Sequence, residues 1–153
     1  MKKSLSRAAF GIVALSLVSV ASAQVKPEDQ IKYRKAGYSF MSWNMSKIKA
    51  NLEGTYDAAQ VTAAANAIAS IAGSGMGALY GAGTEKSIGD QKTRVKPELF
   101  QSMPEVGKLA GEFNAATANL AKVAATGDAA AVKVAFGDVG KTCKACHDKF
   151  RED

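Results

Sequence analysis

The chain has 153 residues, of which 47% are hydrophobic and 22% charged, and a formal net charge of +6. That length holds one domain with a continuous core and is too short for two ordinary ones beyond a leader. The charges are interspersed, with no basic run and no aromatic interleaving, which argues against nucleic-acid binding and for an ordinary solvated surface.

Residues 1–23, "MKKSLSRAAFGIVALSLVSVASA", begin with Lys2, Lys3 and Arg7, continue into a short apolar run and end on Ala21-Ser22-Ala23. This pattern predicts a secretory signal peptide cleaved after Ala23, with residues 24–153 as the mature domain. The apolar run is too short to span a bilayer comfortably, and no later stretch is long and apolar enough, so no membrane insertion is expected after cleavage. Losing the leader removes three cations and no acid. The 20 Lys+Arg fall to 17 against 14 Asp+Glu, and the charge falls from +6 to +3.

Strand signals are nearly absent from the mature chain, and its periodicity is helical. Segment A begins "KPEDQIKYRKAG" and runs to Gly54, with Pro27 suited to the first helical position and Glu28 and Asp29 opposing the positive end of the dipole. Ile31, Arg34, Tyr38, Met41, Met45, Ile48 and Leu52 repeat at spacings of three and four, which predicts a seam facing a bundle core. Segment B, "YDAAQVTAAANAIASIAG", has Asp57 and Gln60 at capping-box spacing and an apolar face of Val61, Ala64, Ala65, Ile68, Ile71 and Ala72.

A long link follows, "GSGMGALYGAGTEKSIGDQKTRV". Its Gly73, Gly75 and Ala78 nominally satisfy a dinucleotide fingerprint, but that motif needs a preceding strand and here follows an alanine-rich helix. Segment C starts near Pro97 and repeats through Val106, Leu109, Phe113, Ala116, Leu120 and Val123 to Gly127, with Met103-Pro104 marking a kink or a late start. Segment D takes Asp128 as its cap and sets Val132, Phe136, Val139, Cys143, Cys146 and Phe150 on one face. Four amphipathic segments with short A–B and C–D connections predict an all-α antiparallel four-helix bundle. Trp43 and Phe150 are expected to pack.

Both cysteines and the only histidine lie within "CKACH", as Cys143, Cys146 and His147. Spacings of three and four place them on one arc of a helix, directed at the seam. A disulfide would leave His147 without a role. A thioredoxin-like dithiol belongs at a helix start, where the dipole lowers the thiol pKa, and this pair lies near a helix end. Structural zinc wants four ligands, and three of the usual types are present. Covalent haem attachment uses all three residues: two thioether links and an axial histidine on the iron.

With "KPEDQIKYRKAGYSFM" near the mature start, "GMGALYGAGTE" in the link and "AFGDVGKTCKACHDKFR" near the end, the chain resembles the cytochrome c′ family, the class II c-type cytochromes. The resemblance covers essentially the whole mature chain. It implies a periplasmic protein with one covalent haem c in the bundle core, attached at Cys143 and Cys146 and ligated by His147. It further implies five-coordinate high-spin iron, with Tyr38 as a steric lid over the open face, and binding of small gases such as nitric oxide and carbon monoxide, electron transfer, or both.

Arg34 is expected to pair with a haem propionate, Thr84 and Glu85 to border the haem edge, and Arg151 to stand on the proximal side or to compensate the helix end. Homodimerisation through segments A and B is a further expectation. The redox partner is not legible.

Two alternatives stay open. With one histidine, bis-histidine ligation by this chain is excluded, but Met41 or Met45 could supply a sixth ligand and make a low-spin electron carrier. Cys143 and Cys146 could instead form a periplasmic dithiol oxidoreductase. No base, nucleophile or substrate pocket is evident beyond an iron site, so enzymatic turnover is not expected.

Overall fold

A computed structural model describes residues 25–152. The signal peptide expected over residues 1–23 and its cleavage point after Ala23 lie outside the described residues.

Helix α1 covers Pro27–Glu53, with Pro27 in its first turn and Glu28 and Asp29 beside its positive end. Helix α2 covers Ala58–Ala72, α3 is a single turn over Glu98–Gln101, α4 runs Met103–Ala124 and α5 runs Ala129–Phe150. The four long helices form the expected bundle. Turns of four residues join α1 to α2 and α4 to α5, which makes each pair antiparallel neighbours. Helix α2 packs on both α1 and α4, and α4 packs on α5, whereas α1 and α5 meet only sparsely.

The core is small-grained. Val61, Ala64, Ala65, Ile68 and Ala72 of α2 are buried against Met41 and Ile48 of α1, Leu120 and Ala124 of α4, and Val132, Ala135 and Val139 of α5. Alanine on the middle helix lets two neighbours approach closely, and each fully buried Ile, Leu or Val contributes roughly 1.5–3 kcal/mol. Thr62 ties α2 to the end of α4 by donating to the Ala124 carbonyl at 2.9 Å.

The caps follow the sequence with one change. Asp128 accepts from the backbone of Ala130 and Ala131 at the start of α5, and Asp57 accepts from Gln60 N at 3.0 Å. The return leg of a capping box, from Gln60 to Asp57 N, is absent. Asn51 takes it over: its Oδ1 accepts from Asp57 N at 2.8 Å and its Nδ2 donates to Gln60 Oε1 at 2.6 Å. The last turn of α1 thereby organises the first turn of α2.

Tyr38 stands at the edge of the α1 seam, 40% exposed, and the fully buried arc takes in Gln30, Asn44 and Asn51. Two further expectations about facing need correction. Trp43 does not pack in the core; it is 54% exposed, with Phe40 at 5.2 Å and the Lys47 ammonium 4.0 Å from its ring centroid. Ile71 and Leu52 are half-buried rather than fully inside. For the α1 residues the reason is that α1 is covered by α2 along one edge and only thinly by α5, so its buried arc is narrower than an ideal seam.

The late start of segment C resolves at Ser102, whose φ of −120° and ψ of 33° end α3 before α4 begins with Pro104 in its first turn. Gly127, at φ 73°, reverses the chain after α4, a conformation that favours glycine.

Candidate functional site

The long link between α2 and α3 is ordered by side chains of α1. It leaves α2 through a 3-10 turn, Met76–Leu79, and then folds over the first half of α1. Arg34, 2% exposed, spends its guanidinium on this link. Nη1 donates to Leu79 O at 3.1 Å and to Thr84 Oγ1 at 2.9 Å, and Nη2 donates to Thr84 O at 2.7 Å and to Thr93 Oγ1 at 2.8 Å. The Thr84 hydroxyl passes its own proton to Gly81 O at 2.8 Å. Gln30 adds a second tie, accepting from Gly81 N at 2.9 Å. A Cβ at position 81 would stand 2.7 Å from Gln30 Oε1, so a larger residue there would displace the Gln30 amide.

The guanidinium carbon of Arg34 also lies 4.7 Å from the centroid of the Tyr80 ring. Burial lowers the Arg34 pKa while the Tyr80 and Tyr38 phenols raise it, and a guanidinium remains charged under such opposing shifts. Thr84 is fully buried and Glu85 half-buried in the same turn.

The far end of the link is stapled to the end of α5. Lys96 N donates to Phe150 O at 2.9 Å and Glu152 N to Arg94 O at 2.8 Å, making an antiparallel bridge between Val95 and Arg151. Phe150 is buried beside it, as expected. Lys149 pairs with Glu105 across α5 and α4.

One turn of α5 carries the soft donors. Cys143 and Cys146 form no disulfide, each is half-buried, and Cys143 packs against the core. His147 does not point into the seam with them. It lies one turn beyond Cys143, on the side away from Cys146, and is exposed on the flank beside Arg151. Arg151 Nη1 lies 3.1 Å from His147 Nδ1 and 3.4 Å from Nε2, which places the cation across the ring. A groove of about 540 Å³, lined in part by Lys96, Gly140, Cys143, His147 and Arg151, opens on this flank. A shallow groove of about 550 Å³ between the start of α2 and the end of α4 is lined mainly by alanines and shares none of these residues.

The electrostatics of the donors are distinct. Partial desolvation, and then the Arg151 and Arg94 cations, lower the His147 pKa against a smaller opposing pull from Asp148, which favours the neutral imidazole. Burial raises both cysteine pKa values, so the thiols keep their protons at neutral pH. A dithiol oxidoreductase needs a depressed thiol pKa, and this environment works the other way.

Across from the cysteines stands Tyr38 of α1, near enough that Cys146 and Cys143 both raise its phenol pKa after burial has done so. Burial raises the Tyr80 phenol as well, and the two phenols interact. Met41 is buried in the core cluster and Met45 packs half-buried against it, so both serve as filling.

Among the described residues no three His, Cys, Asp or Glu side chains converge as an ion cage. Two thiols on one face of a helical turn, with a neutral imidazole stepping off that face, match instead the spread attachment of a planar macrocycle. The thinly packed α1–α5 flank, with Tyr38 on its other side, is where this chain would hold it.

The sequence pointed to Cys143, Cys146, His147, Arg34 and Thr84, and the structure gathers them into two linked clusters. Gln30 of α1 and Tyr80 and Thr93 of the link were missed, because contacts between α1 and the link join residues far apart in sequence and leave no periodic trace.

The family model described as cytochrome c′ matches residues 29–151. A cytochrome c′ from Allochromatium vinosum is 64% identical over 152 residues, covering 99% of each chain. A crystal structure of a cytochrome c′ with ligand-controlled dimer dissociation is 67% identical, with a TM-score of 0.84, and spans 86% of this chain and 100% of its own. Variants of the cytochrome c′ from Alcaligenes xylosoxidans, 30% identical with TM-scores of 0.73 and 0.74, have been solved with nitric oxide and with carbon monoxide bound; the matches span 84% of this chain and 98% of theirs.

Proposed function

The chain belongs to the cytochrome c′ family, and from that premise we propose that it is a periplasmic haem c protein whose iron binds small diatomic gases and exchanges electrons. Members of this family are haem carriers and not enzymes. The observation that carries the site assignment is the single turn of α5 that presents Cys143 and Cys146 half-buried and His147 on the adjacent flank, opposite Tyr38.

Cys143 and Cys146 would form the two thioether links, their protonated thiols adding across vinyl groups. His147 would be the axial ligand, its lowered pKa keeping a lone pair free for the metal. When bound, the haem supplies ferric–ferrous redox chemistry and an open coordination position. Tyr38 would cover that position and exclude bulky or strongly hydrated ligands, so small neutral molecules such as nitric oxide and carbon monoxide would be favoured over anions that must shed water. Arg34 holds the Leu79–Thr93 span of the link against α1, and a guanidinium N–H left over from those four bonds is available to a propionate. Thr84 and Glu85 border the same edge. Arg151, lying across His147, keeps the imidazole neutral and oriented.

Residues 1–23 act as the export signal, cut after Ala23. The exposed aromatic residues of α1, Phe40 and Trp43, suit a second copy of the chain, and a homodimer through α1 and α2 follows. The related protein with ligand-controlled dimer dissociation supports such an assembly.

The test is optical. The ferric and ferrous forms should be high-spin, and the ferrous form should change spectrum with carbon monoxide or nitric oxide. A low-spin, methionine-ligated spectrum in both states, unmoved by either gas, would contradict the open site.

A further inference from the structure

Tyr38 is assigned above as the lid over the iron, yet nothing in the core holds it: its side chain is 40% exposed and lies outside the buried cluster. The link passes beside it, and Tyr80 is the link residue stacked on Arg34, one turn before Tyr38. Its own position is determined from both flanks by α1. Leu79, before it, gives its carbonyl to Arg34 at 3.1 Å, and Gly81, after it, gives its N–H to Gln30 at 2.9 Å. The Tyr80 ring is held from its face as well, with the Arg34 guanidinium 4.7 Å from the centroid, and its backbone N–H closes the 3-10 turn on Gly77 O. Arg34 and Tyr38 are one helical turn apart. The Tyr80 ring over Arg34 therefore lies within one turn of Tyr38, and burial raises the pKa of both phenols.

We propose that Tyr80 is the positioning residue of the site, a latch on the link whose phenol holds the Tyr38 ring in its closed position and so sets how readily a gas reaches the iron. Ligand entry requires Tyr38 to swing away, and the latch adds its hydrogen bond to the cost of that swing. The link thereby enters ligand selection without touching the ligand.

This inference rests on the reading of Tyr38 as lid, and the experiment separates the two. Tyr80→Phe keeps the ring over Arg34 and removes only the phenol. In the haem-loaded protein it should raise the carbon monoxide association rate roughly two- to tenfold, the effect of one lost neutral hydrogen bond. Tyr38→Ala should raise it further, and adding Tyr80→Phe to Tyr38→Ala should change nothing more. A crystal structure of the Tyr80→Phe variant supplies a readout independent of gas binding: the Tyr38 ring should leave its wild-type rotamer or split between two. An unchanged association rate with the Tyr38 ring in its wild-type rotamer overturns the latch while leaving the lid standing. Equal carbon monoxide rates for Tyr38→Ala and wild type overturn the lid itself.

Discussion

Arg34 is a charged side chain, 2% exposed, that forms no ion pair among the described residues and is satisfied by two carbonyls, two hydroxyls and the face of Tyr80. Neutral acceptors suffice because each hydrogen bond to a cation contributes more than a neutral one. The aromatic partner has a consequence at alkaline pH. Burial raises the pKa of both Tyr38 and Tyr80 above the ordinary 10.0, so the folded phenols keep their protons after those of the unfolded chain have begun to leave. The unfolded state then binds fewer protons than the native state. Stability from the pair is whole below about pH 10 and is lost as pH rises from there through the folded pKa values. Denaturant midpoints measured from pH 8 to 12 should fall above about pH 10, and less steeply in Tyr80→Phe. Equal slopes in the two proteins would contradict the shared burial.

At the scale of elements, α2 is the middle helix and its small face sets the spacing of α1 and α4. Ala65, fully buried there, leaves no room for growth. Ala65→Leu should destabilise by about 1–3 kcal/mol without loss of helix content, read from urea unfolding followed by circular dichroism.

Much of this scale was legible in the sequence. Asp57 and Asp128 announce their helix starts by residue type, Gly127 announces a reversal, and the four apolar repeats give the bundle. Less legible was everything that depends on a partner distant in sequence. Asn51 gives no hint that it completes the cap of the following helix, and Tyr80 sits in a glycine-rich link where no period orders it. His147 shares an arc with Cys143 by its spacing of four, yet it is exposed, because α1 covers α5 only sparsely. Chemistry is legible from type and spacing, whereas orientation depends on which neighbour covers the helix.

For the whole molecule, the sparse meeting of α1 and α5 organises both proposed activities. One side of α1 faces α2, its first half carries the link, and its outer side leaves Phe40 49% and Trp43 54% exposed. Charge on that surface should separate subunits and leave the bundle intact. Phe40→Glu with Trp43→Glu is expected to sediment as a monomer with an unchanged far-ultraviolet spectrum; a persistent dimer would move the interface elsewhere.

The account turns on a macrocycle joined covalently to α5 through Cys143 and Cys146. The direct measurement is the intact mass of the denatured protein, secreted from a host that carries out haem attachment, together with a titration of its thiols. The expected result is the mass of residues 24–153 plus one haem, with no titratable thiol. The mass of the bare chain with two reactive thiols would contradict it.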